Sequence, residues 1–332
     1  MKKVLLTGAS HGLGRSALDF LIEHNIEVVA IARHIEHLQH LKSATVHIHA
    51  VDLTQMYAHQ AEALLQGCDT VWHCAALSSP WGAYDDFYAI NVQAVETLLQ
   101  AAGRLKISRL IHISTPSLYF DFSHRRGVCE TQLAQQWANH YVSTKYLAEQ
   151  AVLKAVAAFP YTQYLMLRPR AIFGEYDRVL IPRLLQLHQQ GKGVLKLPRG
   201  GDTLMDLTYV GNVIEAMRLA SISPHIASGS VFNITNQEPW SLQQVLQELF
   251  QALGKDMRIQ KVPYVLAKQV ATLAQAWANI SGKEPVFTPY SIGALSFDMV
   301  LDNTQAQNVL AYRPVSNMHD AIVKTAQAFK AD

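Results

Sequence analysis

An apolar run, Val4-Leu5-Leu6, breaks at Thr7 into Gly8-Ala9-Ser10-His11-Gly12-Leu13-Gly14 and passes into a helical stretch at residues 16–24. No other segment constrains the fold as tightly. A short strand that turns on glycine and enters a helix commits the chain to a strand–helix unit, and each glycine has its own task. Gly8 permits the tight turn, Gly12 lets the backbone approach a bound group, and Gly14 lets the helix pack against the strand. Free N–H groups at the start of that helix attract phosphate. The loop therefore predicts a dinucleotide site, with Ser10, His11 and Leu13 as further contacts beside the glycines.

The rhythm continues along the first half. Apolar runs at residues 26–32, 45–51, 70–74, 109–114 and 162–167 alternate with stretches such as 91–105, whose apolar residues fall three and four apart. Strands alternating with helices predict an α/β fold, a doubly wound parallel sheet covered on both faces. After Arg168-Pro169 the pattern shifts to glycine- and proline-punctuated segments, with helical stretches at 241–253 and 266–280. The expected division is a dinucleotide-binding domain over 1–170 and a smaller α/β C-terminal substrate lobe over 171–332, some of whose segments return to the first.

Composition removes several classes of function. The 28 Lys and Arg residues exceed the 26 Asp and Glu by two, too little to call for nucleic acid. No run of about eighteen apolar residues exists to span a bilayer. Three cysteines, Cys68, Cys74 and Cys129, are too few for a disulfide framework, which points to a reducing, cytoplasmic setting. No His/Cys/Asp cluster has metal-ligand spacing, so no metal is expected.

The end of the second strand bears on the choice of cofactor. An NAD site usually places an acid there to accept from the ribose hydroxyl, but Val29-Ala30-Ile31-Ala32-Arg33 holds none. Arg33 suits a 2′-phosphate, with His11 assisting, so the expected cofactor is NADP, with NAD left open. Asp52-Leu53 after the third strand would bracket the adenine. Cys74-Ala75-Ala76 after the fourth offers small side chains where the cofactor passes, Cys74 acting as a small buried residue rather than a nucleophile.

Tyr141 and Lys145 stand four apart in a stretch, 137–159, whose apolar stripe runs through Leu147, Ala148, Ala151, Val152, Ala155 and Phe159. On a helix they share a face. A nearby ammonium is expected to lower the phenol's pKa and let it exchange a proton near neutrality. Upstream, Ser114-Thr115 lies at the end of the fifth strand, where ligands bind in open α/β sheets. Either hydroxyl can serve a substrate carbonyl.

Glycine loop, His73-Cys74-Ala75-Ala76, Asn91-Val92, Ser114-Thr115, Tyr141…Lys145 and Leu167-Arg168-Pro169 follow in order, and on them the chain resembles the short-chain dehydrogenase/reductases. The likeness is to their extended, two-lobed branch with a Rossmann-type domain, the NAD-dependent epimerases and dehydratases. It implies Tyr141 as acid/base, Lys145 as its pKa modulator and ribose ligand, and Thr115 as the catalytic hydroxyl, with Ser114 as fallback. It also implies Asn91, Ile113, Pro169 and Ile172 in the cofactor site, and a homodimer through the helices at 91–105 and 141–159. One departure is the glycine spacing, which follows the shorter branch and leaves His11 where a middle glycine is usual.

Leu77-Ser78-Ser79-Pro80-Trp81-Gly82, Phe232-Asn233-Ile234-Thr235-Asn236 and Gly282-Lys283-Glu284-Pro285 look closest to the 3β-hydroxysteroid dehydrogenase-like group, which includes bacterial 2-alkyl-3-oxoalkanoate reductases. The resemblance thus implies reversible hydride transfer on a hydrophobic small molecule, of sterol or β-keto acid type. The alternatives are a nucleotide-sugar epimerase or dehydratase and a non-catalytic NADP-binding regulator. Against nucleotide sugars, Met205 precedes Asp206 where those enzymes commonly carry Arg, although Arg170, Arg178 or Arg183 could compensate. The nearly uncharged stretch 264–280 is expected either to pack plainly, to lid an apolar substrate or to rest on a membrane surface. Trp81 is expected to line an apolar pocket.

Overall fold

Alternate residues of the first strand face opposite ways: Val4 and Leu6 enter one apolar cluster and Leu5 enters another. The same division repeats at Ala30 against Val29 and Ile31, and at Leu165 and Leu167 against Tyr164 and Met166. A strand apolar on both sides must be covered on both sides, and it is. The computed structural model describes residues 1–331. Its central sheet has seven parallel strands: β1 (Lys3–Thr7), β2 (Glu27–Ala32), β3 (Val46–Ala50), β4 (Thr70–His73), β5 (Arg109–Ile113), β6 (Gln163–Pro169) and β7 (Val231–Ile234). Their spatial order is β7-β6-β5-β4-β1-β2-β3.

One face carries helices α1 (Gly12–Glu23) and α5 (Val210–Ile222), which pack on each other. The other carries α2 (Ala58–Leu65), α3 (Ala94–Arg104) and α4 (His140–Ala158). Strand order reverses between β1 and β4. At such a switch point the connections leave in opposite directions and open a crevice at the strands' carboxyl ends.

α4 begins at His140, not at Trp137. Asn139 takes an extended backbone and accepts a 3.0 Å hydrogen bond from the Val142 N–H, capping the helix there. The helical stretch expected from residue 91 starts as a π-turn, Ala89–Gln93, before α3 proper. β7 and α5 come from beyond residue 171 and belong to the central layer.

The remaining strands form three small sheets beside the cleft, one of which joins Leu204–Met205 and Met299–Leu301 to Arg125–Val128. Helix Tyr264–Ser281 buries only Ala271 and Ala278. It leaves Leu266, Val270, Leu273, Trp277 and Ile280 exposed, from 52% at Leu266 to 80% at Ile280. It does not line the cleft, so the expected apolar lid is absent. No helix among the described residues is long and apolar enough to cross a membrane.

Candidate active site

The crevice at the switch point is a cleft of roughly 1310 Å³ running from the glycine loop to the second lobe. Gly8, Ser10, His11, Gly12 and Leu13 line one end, with Arg33, Asp52, Leu53, Cys74, Ala75 and Ala76 around them. Ile113, Thr115, Tyr141, Lys145, Pro169 and Ile172 line the middle. The loop fits a dinucleotide. A side chain at Gly8 would come within 3.0 Å of the Ala75 nitrogen, while at Gly12 the only nearby atom is the Tyr176 carbonyl oxygen at 3.9 Å. Residues at Gly12 and beyond bring no acidic side chain into the first turn of α1, leaving that end favourable to phosphate.

Two expected cofactor contacts lie outside the cleft. A Cβ at Gly14 would meet the Gly8 carbonyl oxygen at 2.1 Å, so this glycine serves helix-on-strand packing. Asn91 accepts from the Leu77 N–H at 2.9 Å and donates to the Leu77 carbonyl at 3.0 Å and the Thr144 hydroxyl at 3.2 Å. It ties the segment after β4 to α4 rather than touching a cofactor. Trp81 also stands outside the lining, its indole N–H donating to Asn279 at 2.8 Å.

At the adenosine end, Asp52 accepts from the Thr54 N–H and hydroxyl at 3.0 and 2.8 Å. Those bonds, aided by the charge of Arg33, hold its carboxyl below the usual range. Partial burial lowers the His11 pKa, and Arg178, His37, His34 and Arg33 lower it further. A patch of cationic and titratable nitrogens thus surrounds the end of β2. Burial raises the Cys74 thiol, which suits a packing residue and not a nucleophile.

The middle of the cleft holds a chain of hydroxyls. Tyr141 and Thr115 line it together, the Thr115 hydroxyl close enough to temper the rise of the phenol's pKa; Thr115 donates to Ser117 at 3.0 Å, and Ser117 meets the Tyr290 hydroxyl at 2.7 Å. Burial pushes the Tyr141 phenol up to about 12. The expected lowering by Lys145 is not found. Lys145 is 1% exposed, and its ammonium donates to the Ile113 carbonyl at 2.6 Å and meets His112 Nε2 at 3.1 Å. Desolvation reduces its own pKa to about 8, and its charge is directed at the edge of β5 rather than at the phenol.

Ser114 also borders the cleft, but its hydroxyl is engaged, donating to the Glu149 carboxylate. Glu149 in turn receives Arg168 Nε at 2.8 Å and Nη2 at 2.5 Å. Arg168 also donates to the Tyr119 hydroxyl at 2.6 Å and the Glu130 carbonyl at 2.8 Å. Of the two strand-end hydroxyls, Thr115 therefore faces Tyr141 and Ser114 anchors the strand to α4.

The family model for the NAD dependent epimerase/dehydratase family matches residues 4–235. The chain belongs to the NAD dependent epimerase/dehydratase family. Over 326 residues it is 39% identical to the uncharacterized protein YbjS of Escherichia coli, covering 98% of this chain and 96% of the relative. It is 28% identical over 330 residues to the 2-alkyl-3-oxoalkanoate reductase of Shewanella oneidensis, covering 96% and 84%. UDP-glucuronic acid 4-epimerase from Bacillus cereus, solved with NAD, superposes with a TM-score of 0.78 over 99% of this chain and 96% of that one, at 21% identity. That last likeness concerns the fold.

In this epimerase/dehydratase member, sequence reading missed Ser117, Tyr290 and the coupling of Arg168 to Glu149. Ser117 had a local signal, two residues past Thr115 in a hydroxyl-rich turn. Tyr290 had none, since it lies 173 residues from the serine it touches. Among the described residues no group of His, Cys, Asp or Glu is placed to hold a metal ion.

Proposed function

We propose that this protein interconverts a secondary alcohol and a ketone on a hydrophobic small molecule, of sterol or β-keto acid type, with NADP(H). The observation that carries the reading is that Tyr141 and Thr115 line the same cleft as the glycine loop, the threonine hydroxyl close enough to act on the phenol's pKa. A bound reduced nicotinamide supplies the hydride. The chain's own residues then manage the oxygen. Thr115 and Tyr141 hydrogen-bond the carbonyl, and the phenol, kept protonated by burial, donates its proton as negative charge develops. Lys145, one helical turn along α4 and in the same cleft, would serve the cofactor's ribose, its ammonium being turned to the Ile113 carbonyl and not to the phenol. The reductase activity named for the Shewanella relative agrees with this direction.

Preference for NADP rests on Arg33, which lines the cleft with His11 and His34 where the second strand ends and no acidic side chain stands. A nucleotide-sugar reading is disfavoured by Met205. Met205 is 6% exposed, its backbone pairing with Trp240 and Met299 in a small sheet, and it stands outside the cleft lining.

The decisive test is Tyr141→Phe, assayed against a panel of ketones, steroids and sugar nucleotides with NADPH. Turnover should fall by about 10²-fold or more while NADPH affinity stays within twofold. Undiminished turnover in the variant would reject the assignment. Activity confined to sugar nucleotides, without net NADPH oxidation, would favour epimerisation instead.

A further inference from the structure

A guanidinium carries five N–H donors and a permanent charge, and this chain's arginines generally spend both. Arg15 pairs with Asp19, Arg168 with Glu149 and Arg218 with Glu215, while Arg109 donates to two carbonyls. Arg170 differs. It lines the cleft with Thr115, Ser117, Tyr141 and Tyr290, and its Nε is buried without a hydrogen-bond partner. Burial lowers its pKa, with Tyr290 and Asp206 as the charged or titratable groups facing it. Asp206 acts on it through charge but forms no ion pair with it, and its carboxylate accepts the Leu301 N–H at 2.7 Å instead.

The backbone holds Arg170 firmly in this position. Its N–H donates to the Thr208 hydroxyl at 3.1 Å and reaches the Ile234 carbonyl at 3.3 Å, and its carbonyl accepts from Thr208 at 2.7 Å. Ala171, which follows, sits at φ +43°, a left-handed conformation that a non-glycine residue adopts only when its surroundings impose it. Three fixed bonds and an unfavourable dihedral are thus committed to presenting one desolvated cation to the cleft. Removing a cation from water without a partner is costly, and an anion arriving from a ligand offsets that cost.

We propose that Arg170 recognises a carboxylate on the substrate, close to the carbonyl held by Thr115 and Tyr141. The inference rests on the ketone-reducing reading of the cleft. Position argues against a cofactor phosphate, since the glycine loop, Arg33 and Arg178 gather at the other end around His11. Arg183 also lines the cleft, its guanidinium over the Phe287 ring at 5.6 Å, so a diphosphate held by Arg170 and Arg183 together is the rival reading, and competition by UDP tells the two apart. One planar guanidinium matches one carboxylate, in the two-pronged geometry that makes such pairs strong.

The test uses the NADPH-loaded full chain and a pair of probes that cannot accept hydride from it, dodecanoate and dodecanol, measured by calorimetry. Dodecanoate should bind at least tenfold more tightly than dodecanol. Arg170→Gln should erase that difference while leaving NADP affinity within twofold, and Arg170→Lys, which keeps the charge but not the fork, should retain only part of it. Should the glutamine variant fail to fold, the lysine variant decides alone, through a several-fold loss for dodecanoate only. Equal affinity for the two probes in the wild type, or an unchanged preference in both variants, would overturn the proposal. Competition of dodecanoate by UDP that disappears with Arg170→Gln would also overturn it, in favour of a diphosphate site. These outcomes stand apart from turnover: a chain that reduces neutral ketones but ignores dodecanoate retains the redox reading and loses this one.

Discussion

Replacing Arg168 with methionine removes the cation from the pair that ties β6 to α4, and the cost follows from its surroundings. The side chains of Arg168 and Glu149 are 3% and 5% exposed, so water cannot take over the lost interaction. The variant leaves a buried carboxylate facing a hydrocarbon chain, together with the Tyr119 hydroxyl and Glu130 carbonyl that Arg168 served. Breaking one partner of a buried pair typically costs about 3–5 kcal/mol. An independent bound agrees, since a carboxyl of ordinary acidity takes up a proton at pH 7 for about 4 kcal/mol and can escape by that route. The escape becomes easier in acid. The deficit of Arg168→Met should therefore shrink by about 2–3 kcal/mol between pH 7 and pH 5. Urea unfolding followed by circular dichroism at the two pH values measures both quantities. Arg168→Met/Glu149→Met, which removes both charges, should recover most of the loss. A single variant that loses less than about 1 kcal/mol, or a deficit independent of pH, would refute the claim that this pair is a closed, desolvated unit.

Three further outcomes follow from other features. Gly14→Ala places a methyl 2.1 Å from the Gly8 carbonyl oxygen; the variant should lose NADPH binding, read by fluorescence titration, by more than about tenfold, because α1 must shift from the loop. Arg33→Ser should raise the NADPH KM by about tenfold with little change for NADH, if its guanidinium meets the 2′-phosphate. Lys145 has a pKa reduced to about 8 by burial, so between that value and its unfolded pKa of about 10.4 the unfolded chain binds the proton more tightly than the fold does. Thermal stability should therefore gain a positive contribution as pH rises from about 8 to 10, and Lys145→Met, melted in the same buffers, should lack that increment.

Local pattern carried much of the sheet. The strands β1 to β6 were legible within two residues at either end because all but β3, whose second face carries His47 and His49, are apolar on both faces and bounded by turn residues, a signal confined to a few neighbours. β7 escaped notice. Val231–Ile234 is four residues long, includes the buried polar Asn233, and becomes a strand by pairing with β6. A similar limit applied to helix Tyr264–Ser281, whose apolar composition fitted plain packing, a lid or a surface helix alike, so that only the structure showed its stripe exposed.

For the site, the glycine loop and the Tyr141–Lys145 spacing were readable because their chemistry depends on neighbours along one strand or one helix. The sequence by itself determined the parallel α/β class, the position of the glycine turn and the placing of Tyr141 and Lys145 on one helix. Tertiary structure alone decided which strand-end hydroxyl faces Tyr141, that Lys145 points at the Ile113 carbonyl, and that Arg170 presents an unpaired guanidinium beside Tyr290. Each of those facts is set by atoms brought together from distant parts of the chain, and by a loss of solvent that no run of letters specifies. Proton affinity and charge pairing follow burial, and burial exists only once the layers have closed.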